Sequence, residues 1–375
     1  MYSTTTSCHV GILPPVMSEQ QMIDIYKILA KVNLQIGTMK SDFSHSIVAS
    51  PLVSIFSLNE SVQSTKIEGT QVTFLEMIEP SNRKGWEQQE VLNYKKALDL
   101  GVDLIKGGMP FSTRLIQKLH KVLMTNARGT SSAGGEYRKI QNFIGPDSNI
   151  EHSVYIPVYA AEVPQYMENL EYFMNGEVHS SFKKYNGSEG VVLDEKIEPL
   201  IKMAIMHAQF ESIHPFCDGN GRLGRILIAL MAMSYDLVDF PVFLVSEELE
   251  KERARYYALL NGIRGDNPDW YLWIKFFLEC CERMTSKLIE KMKNTEQLAK
   301  ECLSKCRLDT EKKVWMYTFQ KPYCKVSDFD SSIGSTITVR KALNSLSDKG
   351  LLFVDKEVKR NRIYRNYDLL RILQN

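Results

Sequence analysis

Apolar positions recur at helical spacing along most of the chain. Ile25, Leu29, Val32 and Ile36 form one stripe, preceded by Ser18 and Gln21 at the spacing of a capping box. Thr73 and Glu76 repeat that spacing after Gly69, a residue suited to ending the helix before it. Further helices are predicted over 87–104, punctuated by Gly107, Gly108 and Pro110, then from 163 onward and over 197–212, 223–234, 246–264 and 271–302. Residues 134–160 break the period. Their glycines and prolines, with alternating Phe143, Val154, Ile156 and Val158, predict a short hairpin or extended flap, assigned to Phe143–Pro157. A loop is predicted over 183–190.

The C-terminal region has a different pattern. Short helices are predicted at 314–319 and 326–331, a turn at 333–336, and a longer helix at 338–349 closed by Gly350. Two strand-like runs follow, 351–356 and 361–367, around a charged tip. Three helices and a two-stranded wing is the winged-helix order. The fold expected is mainly α. It divides into an N-terminal helical region (1–105), a core (111–277), a linker helix (278–305) and a winged-helix domain (306–375).

Composition narrows the class. Of 375 residues, 44% are hydrophobic and 24% charged, which excludes disordered, collagen-like and coiled-coil chains. With 46 Lys and Arg against 45 Asp and Glu, no whole-chain field draws the protein to nucleic acid or membrane. Any basic surface is local: residues 296–375 carry 16 Lys/Arg against 10 Asp/Glu. Seven cysteines without a Cys-x-x-Cys suit a reducing compartment rather than a disulfide frame or zinc site. The first residues lack a basic start followed by an apolar stretch, and the most apolar segment, 226–245, is interrupted by Asp236, Asp239 and Pro241. A soluble, cytoplasmic protein without membrane contact is expected.

One segment concentrates chemistry: His-Pro-Phe-Cys-Asp-Gly-Asn-Gly-Arg-Leu-Gly-Arg, His214 to Arg225, between two apolar helices. Gly219, Asn220 and Gly221 allow backbone N–H groups to turn inward as an anion nest. The helix beginning near Arg222 aims its positive end at that nest. Arg222 and Arg225, three apart, can grip phosphate oxygens, and Asp218 offers a carboxylate for Mg²⁺ beside them. His214 has an ordinary pKa of ~6.5 and suits proton removal from a hydroxyl. Singly, each has a plainer reading: a packing histidine, a turn, solvent-facing arginines. Their convergence within one short segment favours a nucleotide site.

The segment resembles the signature of the Fic family, His-x-Phe-x-(Asp/Glu)-Gly-Asn-Gly-Arg-x-x-Arg, at every specified position. Residues 134–175 are similar to that family's flap and following helix, and 254–278 to its closing helices. The resemblance implies protein AMPylation: transfer of AMP from ATP to a Ser, Thr or Tyr hydroxyl of a target protein. By that resemblance His214 is the base, Asp218 holds Mg²⁺, and Gly219, Asn220, Gly221, Arg222, Leu223 and Gly224 belong to the phosphate cradle. Arg225 would bind the γ-phosphate, Phe216 would anchor the loop, and Tyr256 and Tyr257 would edge the adenine pocket. A target would dock on the flap at 143–157. Automodification and a homodimer are compatible with it.

Upstream, Ser64-x-x-x-Glu68-Gly69 resembles the family's inhibitory motif, in which Glu68 would take Arg225 from the γ-phosphate. The same carboxylate could instead orient water for AMP removal, and the sequence leaves both uses open. Two other classes compete. Cys217 with His214 would suit a cysteine hydrolase, although the signature accounts for the neighbours without the thiol. Arg340, Lys341, Lys359, Arg360, Arg362 and Arg365 would let 306–375 bind DNA, making the core a nucleotide sensor. That reading is compatible with enzyme activity, as winged helices also dock proteins.

Overall fold

A computed structural model describes residues 9–79, 85–126, 134–145, 149–177, 190–355, 357–358 and 360–374. Most of the loop expected at 183–190 lies outside these residues, as do residues 1–8, Lys356 and Lys359. The architecture is helical. In chain order the larger part contains β1 (Val16–Met17), α1 (Glu19–His45), α2 (Ala49–Ile67), α3 (Phe74–Ile78), α4 (Trp86–Lys106), α5 (Thr113–Leu123), α6 (Val163–Asn175) and β2 (Val191–Val192). It continues with α7 (Pro199–Ile213), α8 (Asn220–Ser234), α9 (Ser246–Lys251), α10 (Arg253–Gly262) and α11 (Trp270–Leu303).

The helix starts follow the local chemistry. Ser18 with Gln21 caps α1 reciprocally, and Thr73 with Glu76 does the same for α3. α7 is buried on every side from Leu200 to Ile213, and α8 from Leu223 to Ala232, as helices at the centre of a core must be. Around this pair α4 packs on α5 and α8, α6 on α7, and α2 on α4 and α9. α1 lies along α11, and β1 pairs antiparallel with β2.

Several expected boundaries move. The helix expected at 246–264 is two, broken at Glu252, which caps one and precedes the other. α11 runs unbroken from Trp270 to Leu303, as the helix expected at 271–302 does, and the core–linker division at 277/278 lies within it. The flap contains no strand pair among its described residues. Its described residues hold one antiparallel bridge, Ile144 with Tyr155, and a 3-10 turn at Ile150–His152.

The C-terminal part has α12 (Asp309–Tyr317), β3 (Tyr323–Cys324), a 3-10 turn at Val326–Asp328, α13 (Thr336–Asp348), β4 (Phe353–Val354), β5 (Tyr364–Arg365) and α14 (Tyr367–Gln374). The strands pair antiparallel in the order β3-β5-β4. The third strand and the final helix were not legible as such. α14 starts where Asn366 accepts from the Leu369 N–H, and it packs on α11. Among the described residues no helix is long and apolar enough to cross a membrane.

Candidate active site

The centre of the site is the connection between α7 and α8. α7 stops because His214 takes left-handed angles (φ 49°, ψ 61°) and Pro215 follows it. The loop is then pinned from within. Phe216 is fully buried and stacks on the His120 ring at 3.7 Å. The Phe216 N–H donates to Asn220 Oδ1 at 2.9 Å, and Asn220 Nδ2 donates to the Phe216 carbonyl at 2.8 Å. Gly219 starts α8 at φ 80°, a conformation a side chain would strain.

Two residues that the resemblance places at the nucleotide are engaged within the protein here. Asn220 is 1% exposed and its amide is bonded to the Phe216 backbone, so it staples the loop. Tyr256 is 1% exposed, hydrogen bonded through its hydroxyl to His207 Nε2 at 2.8 Å and packed near Trp273. It is a core tyrosine, and of the pair only Tyr257 reaches the surface.

His120, from α5, carried no signal in the sequence beyond one polar residue on an apolar face. Its Nδ1 accepts from the Gly135 N–H, so Nε2 is the nitrogen that donates to the Asp218 carbonyl, at 2.9 Å. Burial lowers its pKa to about 4 and keeps this neutral tautomer at neutral pH.

The charged groups converge on the first turns of α8. Arg225 is fully buried. Its Nε donates to Ser64 Oγ at 2.8 Å, and its Nη2 donates to the Ser64 carbonyl at 3.0 Å and to Glu68 Oε1 at 2.6 Å. Burial alone would raise the Glu68 pKa, but the Arg225 guanidinium outweighs it and holds the carboxyl below its ordinary value. A Cβ on Gly221 would lie 2.3 Å from Glu68 Oε1, so the missing side chain is what admits this carboxylate to the first turn of α8. Glu68 itself follows the last residue of α2, and Gly69 leaves the helix at φ 97°.

Arg222 is also buried, between Asp218 Oδ1 (3.2 Å) and Glu90 Oε2 (3.5 Å) of α4. Glu90 accepts from Thr70 Oγ1 as well, at 3.4 Å, which ties the segment after Gly69 to the same arginine. Leu223 is a core residue. Gly224 lets α8 approach α7, since a Cβ there would sit 2.9 Å from Glu211 Oε1 and 3.0 Å from His207 Nδ1.

The His214 side chain is 17% exposed, and its Nδ1 faces inward, 4.0 Å from Glu211 Oε2. Burial, then the nearby Arg264, lowers its pKa to about 4, so the ring is neutral at physiological pH. No hydrogen bond joins it to Cys217 among the described residues. Asp218 keeps 57% of its side chain exposed. No cluster of three or more His, Cys, Asp or Glu able to hold a metal occurs among the described residues. A single exposed carboxylate beside a phosphate nest still fits Mg²⁺, which binds through one or two carboxylates plus substrate phosphates and water.

The Fic/DOC family model matches residues 110–232, and the Fic/DOC family N-terminal model matches residues 26–103. The protein adenylyltransferase Fic of Drosophila virilis is 27% identical over 152 residues, covering 40% of this chain and 24% of that protein. That of Drosophila ananassae is 25% identical over 200 residues, covering 52% and 33% respectively. The chain thus matches no more than about a third of the length of these curated relatives. A crystal structure of a Fic family protein from Desulfovibrio desulfuricans has the same fold, with a TM-score of 0.55 at 18% identity over 94% of this chain and 98% of that one. With both family models matched side by side and the signature loop between α7 and α8, the chain belongs to the Fic/DOC family.

Proposed function

We propose that this protein transfers AMP from ATP to a hydroxyl of a target protein and releases pyrophosphate. The observation that carries the reading is a neutral, partly exposed His214 that feels the charge of Glu68, the carboxylate held by Arg225, with Arg222 paired to Asp218 in the same signature. His214 Nδ1 is buried, which leaves Nε2 to take the hydroxyl proton as the oxygen–phosphorus bond forms and the bond to pyrophosphate breaks. Arg225 would grip the γ-phosphate, and Asp218 would hold Mg²⁺, which supplies charge neutralisation on the phosphates when bound. Residues 143–157 would carry the target, by main-chain pairing along an extended segment.

Glu68 occupies the guanidinium that a γ-phosphate needs, so the resting protein is autoinhibited in this reading. AMP removal with Glu68 orienting water is the alternative use of the same carboxylate. Incubation with α- or γ-labelled ATP tests the proposal. Label should enter protein from the α position only, and His214→Ala should reduce transfer by ~10²–10⁴-fold while nucleotide still binds. Equal transfer by His214→Ala would sink it.

For residues 306–375 we propose a winged helix that takes duplex nucleic acid. Between α13 and the tip joining β4 to β5 lies a groove of about 700 Å³, lined by Lys325, Arg340, Arg360 and Arg362 with Asn344 and Asn361. No carboxylate lines it among the described residues. Arg365 instead lies over the Tyr323 and Phe353 rings and belongs to the sheet. Lys341 is exposed on the same helix as Arg340.

A further inference from the structure

The flap region and the His214 segment are laced together carbonyl by carbonyl. Ser212 O accepts from the Tyr155 hydroxyl. Ile213 O accepts from Arg138 Nη2 at 3.4 Å, and His214 O from Arg138 Nε at 2.9 Å. Pro215 O accepts from the Arg138 N–H at 2.9 Å, and Phe216 O from Asn142 Nδ2 at 3.2 Å. Five consecutive carbonyls therefore each receive a donor from one segment. The same Arg138 guanidinium also donates to Ile140 O at 3.4 Å and to Val158 O, the two feet of the flap.

Arg138 is 3% exposed and has no carboxylate partner among the described residues. A buried cation held only by neutral carbonyls is an expensive arrangement for packing alone. An apolar side chain could fill the space, but only a planar fork with five N–H donors reaches four carbonyls on three backbone segments. One of those carbonyls belongs to His214, whose left-handed backbone few non-glycine residues adopt and which therefore needs holding. Asn142, Tyr155 and Arg264 reinforce the joint: the Arg264 guanidinium lies 3.5 Å from the Tyr155 ring centroid and donates to Ser212 Oγ and Glu211 O at 3.2 Å each.

We propose that Arg138 is a positioning residue for AMP transfer: it fixes the backbone of His214 to both feet of the flap, holding base and docked target in one frame. The proposal rests on the AMP-transfer reading above. It requires Arg138 to act on placement of the reacting groups, without touching nucleotide. A misplacement of ~1 Å at the reacting centre is enough to lose ~10²-fold in rate.

The test compares Arg138→Lys, which keeps the charge and loses the fork, with Tyr155→Phe, which loses one hydroxyl and no bulk. Both are made in the full chain with Glu68→Gly. Three quantities are read: the single-turnover rate of AMP transfer at saturating ATP, the ATP dissociation constant, and the His214 Cε1–H cross-peak of ¹³C-histidine-labelled protein. Arg138→Lys should transfer AMP ~10–100-fold more slowly, with ATP affinity within about twofold and a shifted, broadened His214 cross-peak. Tyr155→Phe should move all three in the same direction by a smaller amount.

An unchanged cross-peak and rate in Arg138→Lys would overturn the proposal. So would a rate loss that ATP affinity accounts for in full. If the Glu68→Gly parent transfers no AMP, the transfer reading fails. The cross-peak still judges Arg138 in that case: unchanged in both variants, it ends the proposal.

Discussion

Replacing Glu68 by glycine perturbs one contact whose energy can be worked from its surroundings. Arg225 makes three hydrogen bonds to α2 and its end, and only the one to Glu68 Oε1, at 2.6 Å, is to a carboxylate. A hydrogen bond between charged groups is worth about 1.5–3 kcal/mol. The Arg225 side chain is fully buried but that of Glu68 is 34% exposed, and water at that end screens the pair towards about 2 kcal/mol. A triphosphate that places its γ-phosphate on Arg225 must first displace this contact. At 1.36 kcal/mol per factor of ten, removing it raises the productive population ~30-fold.

Initial rates of label incorporation from α-labelled ATP, including automodification, should rise by that order in Glu68→Gly. Glu68→Gln, which keeps a neutral acceptor, should fall between it and wild type. Arg225→Ala added to Glu68→Gly should cancel the gain, because the glutamate acts through that arginine. The buried guanidinium keeps Ser64 Oγ and the Ser64 carbonyl, so the folded protein survives with a melting temperature several degrees lower. An initial rate equal to wild type would refute the reasoning. Modified protein that accumulates from an unchanged initial rate would instead assign Glu68 to AMP removal.

Other outcomes follow from the same geometry. His214 titrates near 4 because of burial and Arg264; it is protonated and unable to accept a proton only below that value. Glu68 is among the groups that raise this pKa, so the acid limb of transfer by the Glu68→Gly variant should fall no higher than about pH 4, and a limb near 6.5 would contradict the placement of the ring. Gly224→Ala should destabilise the fold by ~1–3 kcal/mol, read by chemical denaturation, since the added Cβ meets Glu211 and His207 inside the core. Duplex DNA affinity should fall steeply with salt and weaken on joint replacement of Arg340 and Lys341 by alanine. Salt-independent or absent binding would leave the C-terminal part a protein-docking module.

How much was legible in the sequence depends on where each residue's partners come from. Local signals were sound: the Ser18–Gln21 and Thr73–Glu76 boxes cap α1 and α3, and Gly69 ends α2 at a positive φ. The signature loop was legible because its turn chemistry is written in consecutive residues. The alternation at 143–158 predicted a short hairpin or extended flap, and an antiparallel bridge joins Ile144 to Tyr155, with Tyr155, Ile156 and Val158 facing the core and Val154 64% exposed. What the helical pattern missed lies in tertiary context. One helix became α9 and α10 because nothing in a helical period marks the break at Glu252.

Within the site, the identities of the signature residues were readable and their tasks less so. Asn220 and Arg222 stand in one turn of helix and both read as phosphate ligands, yet Asn220 is closed on the Phe216 backbone and Arg222 lies between Asp218 and Glu90. Partners from outside the signature fix the rest: Glu90 of α4 pairs with Arg222, His120 of α5 stacks on Phe216, and Arg138, just ahead of the flap, holds the His214 carbonyl, each far from the signature in sequence and each buried. Burial makes such residues decisive, because a polar group without solvent is fixed by whichever neighbour satisfies it. The signature therefore specifies a loop that can bind an anion. The residues that hold His214 at a fixed angle to that loop lie outside it, where one sequence offers no local pattern to reveal them.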